Sequence, residues 1–157
     1  MQNQTLSTRA SINSISILIL RLILGTVFFA HGAQKVFGAF GGRGIESVIG
    51  MVTSFGLPIP VVIGWIVALI EFVGGIAIIL GLFTRIAAFG ICINMSVAVF
   101  KVHLPNGFFA PEGVEFPLTL LAIALSIVFS GGGIFSLDYP LYRSLGAKNR
   151  FLRCLFS

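Results

Sequence analysis

The sequence predicts an all-α integral membrane protein. Its expected fold is a four-transmembrane-helix bundle with a short interfacial amphipathic helix between helices 1 and 2. Composition is the first observation behind this: 57% of the 157 residues are hydrophobic and 10% are charged, against roughly 45–50% and about 25% in soluble domains. Ten basic and five acidic side chains are too few to coat a water-soluble particle of this size. The apolar residues are also gathered into four runs, each close to the ~20 residues a helix needs to cross a ~30 Å hydrocarbon core. Finally, the runs are separated by glycine- and proline-rich stretches. Uninterrupted runs of this length favour helices over barrel strands, because a helix satisfies its backbone hydrogen bonds within one segment.

Residues 1–14 read as an N-terminal segment, residues 15–138 as the membrane domain and residues 139–157 as a basic tail. The first span is expected at residues 15–37. Arg9 ahead of it and the small residues at 30–33 loosely imitate a signal peptide, but Arg21 interrupts the run and the run is long for a cleaved leader. It is therefore read as a retained helix. In the connection 38–60, Ile45, Val48, Ile49, Val52 and Phe55 recur at helical spacing opposite Glu46, Ser47, Thr53 and Ser54, which predicts the interfacial helix. The second and third spans, 59–82 and 86–104, meet at a tight turn around residues 81–85 and should be antiparallel neighbours. The fourth is expected at 116–135, after which Gly131-Gly132-Gly133 and Ser136-Leu137-Asp138 should stop it, with Asp138 capping a short tail helix. Trp65 suits an interfacial anchor.

Charge placement sets the expected orientation. With both termini on one side, that side holds Arg9, Arg85, Arg143, Lys148, Arg150 and Arg153, and the other holds Lys35, Arg43 and Lys101. The positive-inside rule then puts both termini of this multi-pass protein in the cytoplasm. The same clustering explains the net charge of +5 without nucleic acid, for which no basic water-exposed face exists. Cys92 and Cys154 are far apart and form no C-x-x-C dithiol motif.

Ionisable residues at membrane depth carry the functional signal, since each costs at least about 2.5–3.5 kcal/mol at mid-helix. Arg21, Leu24, Phe28, His31 and Lys35 fall on one face of the first helix. Glu71 lies mid-span in the second, within a stripe of small residues (Gly64, Ala68, Gly75) that should turn it into the bundle. Either Arg21 or His31 is within expected reach of Glu71, and Arg21 has the longer, permanently charged arm. An Arg21–Glu71 pair that only fixes helix register stands beside any functional reading. Asn94, Ala98 and Lys101 share a face of the third helix, with His103 beyond, and Arg43, Glu112 and Glu115 should gather near the same mouth. Lys35, Arg43 and Lys101 are equally suited to snorkelling toward headgroups. Two histidines without a ligand set argue against haem or metal.

Three segments carry a resemblance. RLILGTVFFAHGAQK (Arg21 to Lys35), EFVGGIAIILGLFTRIAA (Glu71 to Ala88) and GGGIFSLD (Gly131 to Asp138) resemble, in order, motifs of the DoxX family of small four-helix membrane proteins, over about residues 17–140. The matching positions are Arg21, His31, Gly32, Lys35, Glu71, Gly75, Gly81, Arg85 and Asp138. Where the family commonly has Gly-Pro-Gly before Ser-Leu-Asp, this chain has Gly131-Gly132-Gly133. The resemblance implies a bacterial inner-membrane bundle; the family is named for a subunit of an archaeal quinol oxidase, and other members are associated with quinone or thiol stress.

On that basis the expected function is a membrane subunit of a quinone-linked oxidoreductase or redox-stress complex, with Glu71 and His31 as proton-handling candidates. Arg21, Phe28, Lys35, Asn94, Lys101, His103 and Glu115 are the substrate-binding candidates. A quinone ring needs an apolar slot with a donor and a proton acceptor near its carbonyls. Electrons would come from a soluble or membrane partner, because no flavin, haem c or iron–sulfur motif is present. A homodimer is a further expectation. Two other readings stay open: a small-molecule or lipid binding or transport protein, and a non-catalytic assembly subunit.

Overall fold

A computed structural model describes residues 2–145; Lys148, Arg150, Arg153 and Cys154 lie outside them. Every regular element is helical: α1 (Gln2–Phe37), α2 (Ile45–Ser54), α3 (Pro60–Leu80), α4 (Thr84–Val97), α5 (Glu115–Ser130) and α6 (Asp138–Leu145). A π-helical segment at Ala98–His103 and a 3-10 turn at Leu104–Asn106 extend α4. Three stretches are long and apolar enough to cross a membrane: Ile12–Phe37, Pro60–Leu80 and Thr84–Asn106.

The fourth predicted span is shorter than expected. Helix α5 has 16 residues, about 24 Å at the helical rise. Gly131 and Gly133, at φ +74° and +73°, turn the chain away before Phe135. Helix α1 begins at Gln2, ahead of the apolar run.

Helices α1 and α3 run antiparallel in the most intimate contact of the bundle. A Cβ on Gly75 would stand 2.9 Å from the Gly25 carbonyl oxygen, and one on Gly32 would overlap the Phe72 backbone. These glycines bring the two helix axes together without side chains between them. Phe72 stacks on Phe29 and meets Phe37 edge-on, with ring centroids 5.5 and 5.2 Å away. The core proper lies between α1, α3, α4 and α5, around Leu24, Phe28, Ile78, Ile91, Leu120 and Ile127. Amphipathic α2 buries Val48 and Val52 and exposes Glu46, Ser47, Thr53 and Ser54, as its spacing predicts.

The bundle thus has two distinct ends. The proximal end holds the α3–α4 turn and the loop after α5, and the distal end holds α2 and the α4–α5 connection. Large exposed apolar side chains, among them Ile23, Val73, Phe89 and Phe129, cover the outer faces of the long helices. This is a membrane protein whose surface contacts the lipid bilayer.

Candidate functional site

At the proximal end Arg21 is fully buried, with 0% exposure, and its partners are carbonyls. Its Nε donates to Ile78 O at 2.9 Å, Nη2 to Ile79 O at 2.9 Å, and Nη1 to Gly132 O and Phe135 O at 2.8 and 3.1 Å. The last four carbonyls of a helix lack intrahelical donors, and in α3 each finds another. Arg21 serves Ile78 and Ile79, Leu82 N serves Ala77 O, and Leu137 N serves Leu80 O. Across the turn, the buried Asp138 carboxylate accepts from Phe83 N and Thr84 N, both at 2.8 Å, and from the Thr84 hydroxyl at 2.6 Å.

Two sequence expectations are corrected here. Arg21 does not reach Glu71: its acceptor Ile78 lies seven residues further along α3, about 10 Å away. Asp138 is a cap, but it caps the start of α4 from a distant part of the chain, and it does so while opening α6. This end is built for integrity; the Arg21 donors go to backbone carbonyls, and Asp138 accepts from two backbone N–H groups and the Thr84 hydroxyl.

The polar pair at mid-bundle is instead Lys35 and Glu71, whose ammonium and Oε1 form a short ion pair. Each side chain leans toward its own helix N-terminus. Because α1 and α3 are antiparallel, Lys35 leans down from the distal end of α1 and Glu71 leans up from the middle of α3. The glycine contacts set the register that lets them meet. Glu71 is 3% exposed and Lys35 25%, so the pair is sheltered at the acid and open at the amine. Glu71 Oε2 has no hydrogen-bond partner among the described residues.

Beside this pair lies a cavity of about 440 Å³. Its polar lining residues are His31, Lys35, Glu71, Asn94 and His103; the rest of the wall is apolar, including Phe28, Phe55, Ile70 and Leu120. Asn94 Nδ2 donates to Val67 O at 3.2 Å, one turn before Glu71, and so ties α4 to the segment of α3 that carries the acid. One ring nitrogen of His103, Nδ1, lies 2.8 Å from the Glu112 carbonyl.

Of the candidates named from sequence, Phe28, His31, Lys35, Glu71, Asn94 and His103 converge on the cavity, while Arg21, Lys101 and Glu115 do not. Lys101 is exposed; the wide π turn at Ala98–His103 shifts the register of α4, so that Val102 and His103 line the cavity where α-helical spacing favours Lys101. Glu115 accepts from Ala110 N at 2.7 Å and braces the α4–α5 connection. Sequence reading missed the contribution of α2 and the residues after it: Met51, Val52, Phe55 and Leu57 close one side of the cavity. The apolar face of α2 is the signal, and its spacing by itself places the helix only at the membrane interface.

The DoxX family model matches residues 16–104, a stretch that runs from α1 to the end of the π segment and includes all six converging candidates. The chain belongs to the DoxX family. Among DoxX relatives, a Bacillus subtilis protein named "Putative oxidoreductase CatD" is 31% identical over 86% of this chain and 92% of its own length. An uncharacterized Haemophilus influenzae protein is 35% identical over 79% of this chain and 89% of its own. A Mycobacterium tuberculosis protein described as an uncharacterized membrane protein is 30% identical over 80% and 81%. No solved structure is a significant match. In this DoxX membrane protein the proximal Arg21 cluster is thus structural, and the Glu71 cavity holds a carboxylate oxygen with no partner among the described residues.

Proposed function

We propose that this DoxX protein is the quinone-binding membrane subunit of an oxidoreductase, with the ring seated in the Glu71 cavity. The observation that carries the reading is the unpartnered Oε2 of Glu71, a buried carboxylate that lines the cavity together with His31, Lys35, Asn94 and His103. A buried acceptor left without a donor costs about 1–3 kcal/mol, and a ligand hydroxyl or a proton removes that cost. The cavity volume lies in the ordinary range for small-molecule sites, roughly 300–1,000 Å³. The name of the Bacillus subtilis relative supports redox chemistry.

A bound quinone would supply two-electron, two-proton redox chemistry. The chain's own residues do the rest. Lys35 holds Glu71 Oε1 and fixes the carboxylate rotamer, leaving Oε2 to take up or release a proton. Asn94 anchors the α3 turn that precedes the acid, and Phe28 walls the ring site. His31, exposed on one side and lining the cavity on the other, links the acid's surroundings to the surface. Electrons come from a partner protein, and a second copy of the chain is a candidate neighbour in the assembly. The basic bias of the proximal side argues for both termini in the cytoplasm, and the bacterial sources of the relatives favour a bacterial inner membrane.

Gentle purification, an absorbance spectrum and organic extraction of one sample test the proposal. Extracted quinone, or saturable binding of added quinone, is the expected result. A protein that neither retains nor binds quinone overturns it, and ligand uptake into vesicles without a redox partner would favour transport.

A further inference from the structure

One short helix stands between the Glu71 cavity and the distal surface. Met51 and Val52 of α2, with Phe55 and Leu57 just after it, line the cavity, while Glu46, Ser47, Thr53 and Ser54 of the same helix are exposed. The attachment of α2 to the bundle is apolar. Val48 and Val52 are its buried side chains, and Ile49 lies over Gly64 of α3, where a Cβ would stand 3.5 Å from the Ile49 Cα. Its polar groups close on the segment itself: the hydroxyls of Ser47, Thr53 and Ser54 donate to Gly44 O, Ile49 O and Met51 O. Among the described residues no hydrogen bond or ion pair joins α2 to another helix. A glycine at positive φ flanks each end, Gly44 at +70° and Gly56 at +69°, and a Cβ on either would find nothing within 4 Å. Two residues before Gly44 the connection is still packed down, since a Cβ on Gly42 would stand 2.6 Å from the Gln34 carbonyl oxygen. The unrestrained part of the chain therefore starts after Gly42 and ends at Gly56.

We infer that α2 is a hinged cover, which swings out about Gly44 and Gly56 and opens the Glu71 cavity to the water and headgroups of the distal surface. The inference goes beyond the quinone reading, because it rests on the cavity and its wall and not on what fills them. A few loop positions at the ends of an element are enough to absorb such a movement, and glycine takes up the backbone change at no steric cost. The membrane makes the movement cheap. A cover in water would expose its apolar face on opening, whereas an amphipathic helix at the bilayer surface rests that face in the interface. The rim that the cavity presents to lipid, at Ile66 and Ile93, is apolar, so polar species reach the unpartnered Glu71 Oε2 by the distal route that α2 governs.

The test needs no ligand. In a chain carrying Cys92→Ala and Cys154→Ser, Ala98→Cys places a thiol in the cavity wall; in a second protein Thr53→Cys places one on the exposed face of α2. Both are labelled in lipid nanodiscs with a charged, water-soluble methanethiosulfonate, and the rates are read by mass spectrometry. An added, oxidised Ile49→Cys/Gly64→Cys pair, at a spacing suited to a disulfide, pins α2 to α3. A cover open for about a tenth of the time or less should make labelling at Ala98→Cys about tenfold or more slower once pinned. Val48→Ala loosens α2 at a buried residue outside the cavity wall and should speed that labelling by about threefold or more. Labelling at Thr53→Cys should stay at one rate throughout. A rate at Ala98→Cys that the pin leaves unchanged, or no labelling there without the pin, overturns the cover and leaves the quinone reading standing. Should the pinned protein fail to fold, Val48→Ala decides alone, and an unchanged or slower rate in it overturns the cover.

Discussion

Lys35 and Glu71 reach each other across antiparallel helices because each leans toward its own helix N-terminus, and their ion pair uses one carboxylate oxygen and leaves the other without a hydrogen-bond partner among the described residues. The pair therefore has a structural half and an available half. Removing the amine alone strands a buried carboxylate. We expect Lys35→Met to lower stability by about 3 kcal/mol, and Lys35→Met with Glu71→Gln to recover most of that loss, as thermal unfolding of the single and double variants in one detergent will show.

The proximal cluster gives the opposite contrast, between two cations. Arg21 spans four carbonyls from two chain segments with a planar fork of donors. A lysine has three donors on one nitrogen and cannot copy that arrangement. Arg21→Lys should cost about 2 kcal/mol or more and lower the unfolding temperature, while quinone binding by the folded fraction stays at the wild-type level. Loss of binding in folded protein would place Arg21 in the ligand site after all.

Asp138 caps α4 from outside it. Asp138→Ala removes three hydrogen bonds, two of them from the backbone N–H groups of Thr84, the first residue of α4, and of Phe83 just before it. A loss of about 1–2 kcal/mol is expected, and faster amide hydrogen exchange should be confined to residues near the α3–α4 turn. Uniform acceleration throughout the bundle would contradict this local role.

Glycines separate into two kinds. At Gly32 a methyl group would overlap the Phe72 backbone, whereas at Gly50, within α2, nothing lies within 4 Å. Gly32→Ala should force α1 from α3 and sharply lower the unfolding temperature. Gly50→Ala should raise stability by about 0.5–1 kcal/mol through helix propensity.

Much of this architecture was legible in the residue pattern. The long spans, the amphipathic α2 and the inward-facing Glu71 all follow from local periodicity and from the cost of charge in hydrocarbon. The partner of Glu71 did not follow, because it depends on the register of α1 against α3 and on the direction in which helical side chains lean. Arg21 looked like an ion-pair partner, since sequence displays charges and not the bare carbonyls at a helix end. Both Lys101 and His103 were candidates for the site, and one wide turn of α4, within which no glycine or proline gives notice, keeps His103 on the cavity and turns Lys101 away. Family resemblance marked Arg21, Glu71 and Asp138 alike, and the structure divides them: Arg21 and Asp138 hold the α3–α4 turn, and Glu71 faces a cavity.

The most direct measurement of the central claim is quinone binding to wild-type protein and to Glu71→Gln in the same bilayer. Glutamine keeps the shape of the side chain and removes its capacity to hold a proton or a negative charge. The account predicts about a tenfold or greater loss of affinity, the worth of one charge-assisted hydrogen bond, in a protein that remains folded. Equal affinity in the two proteins would contradict it.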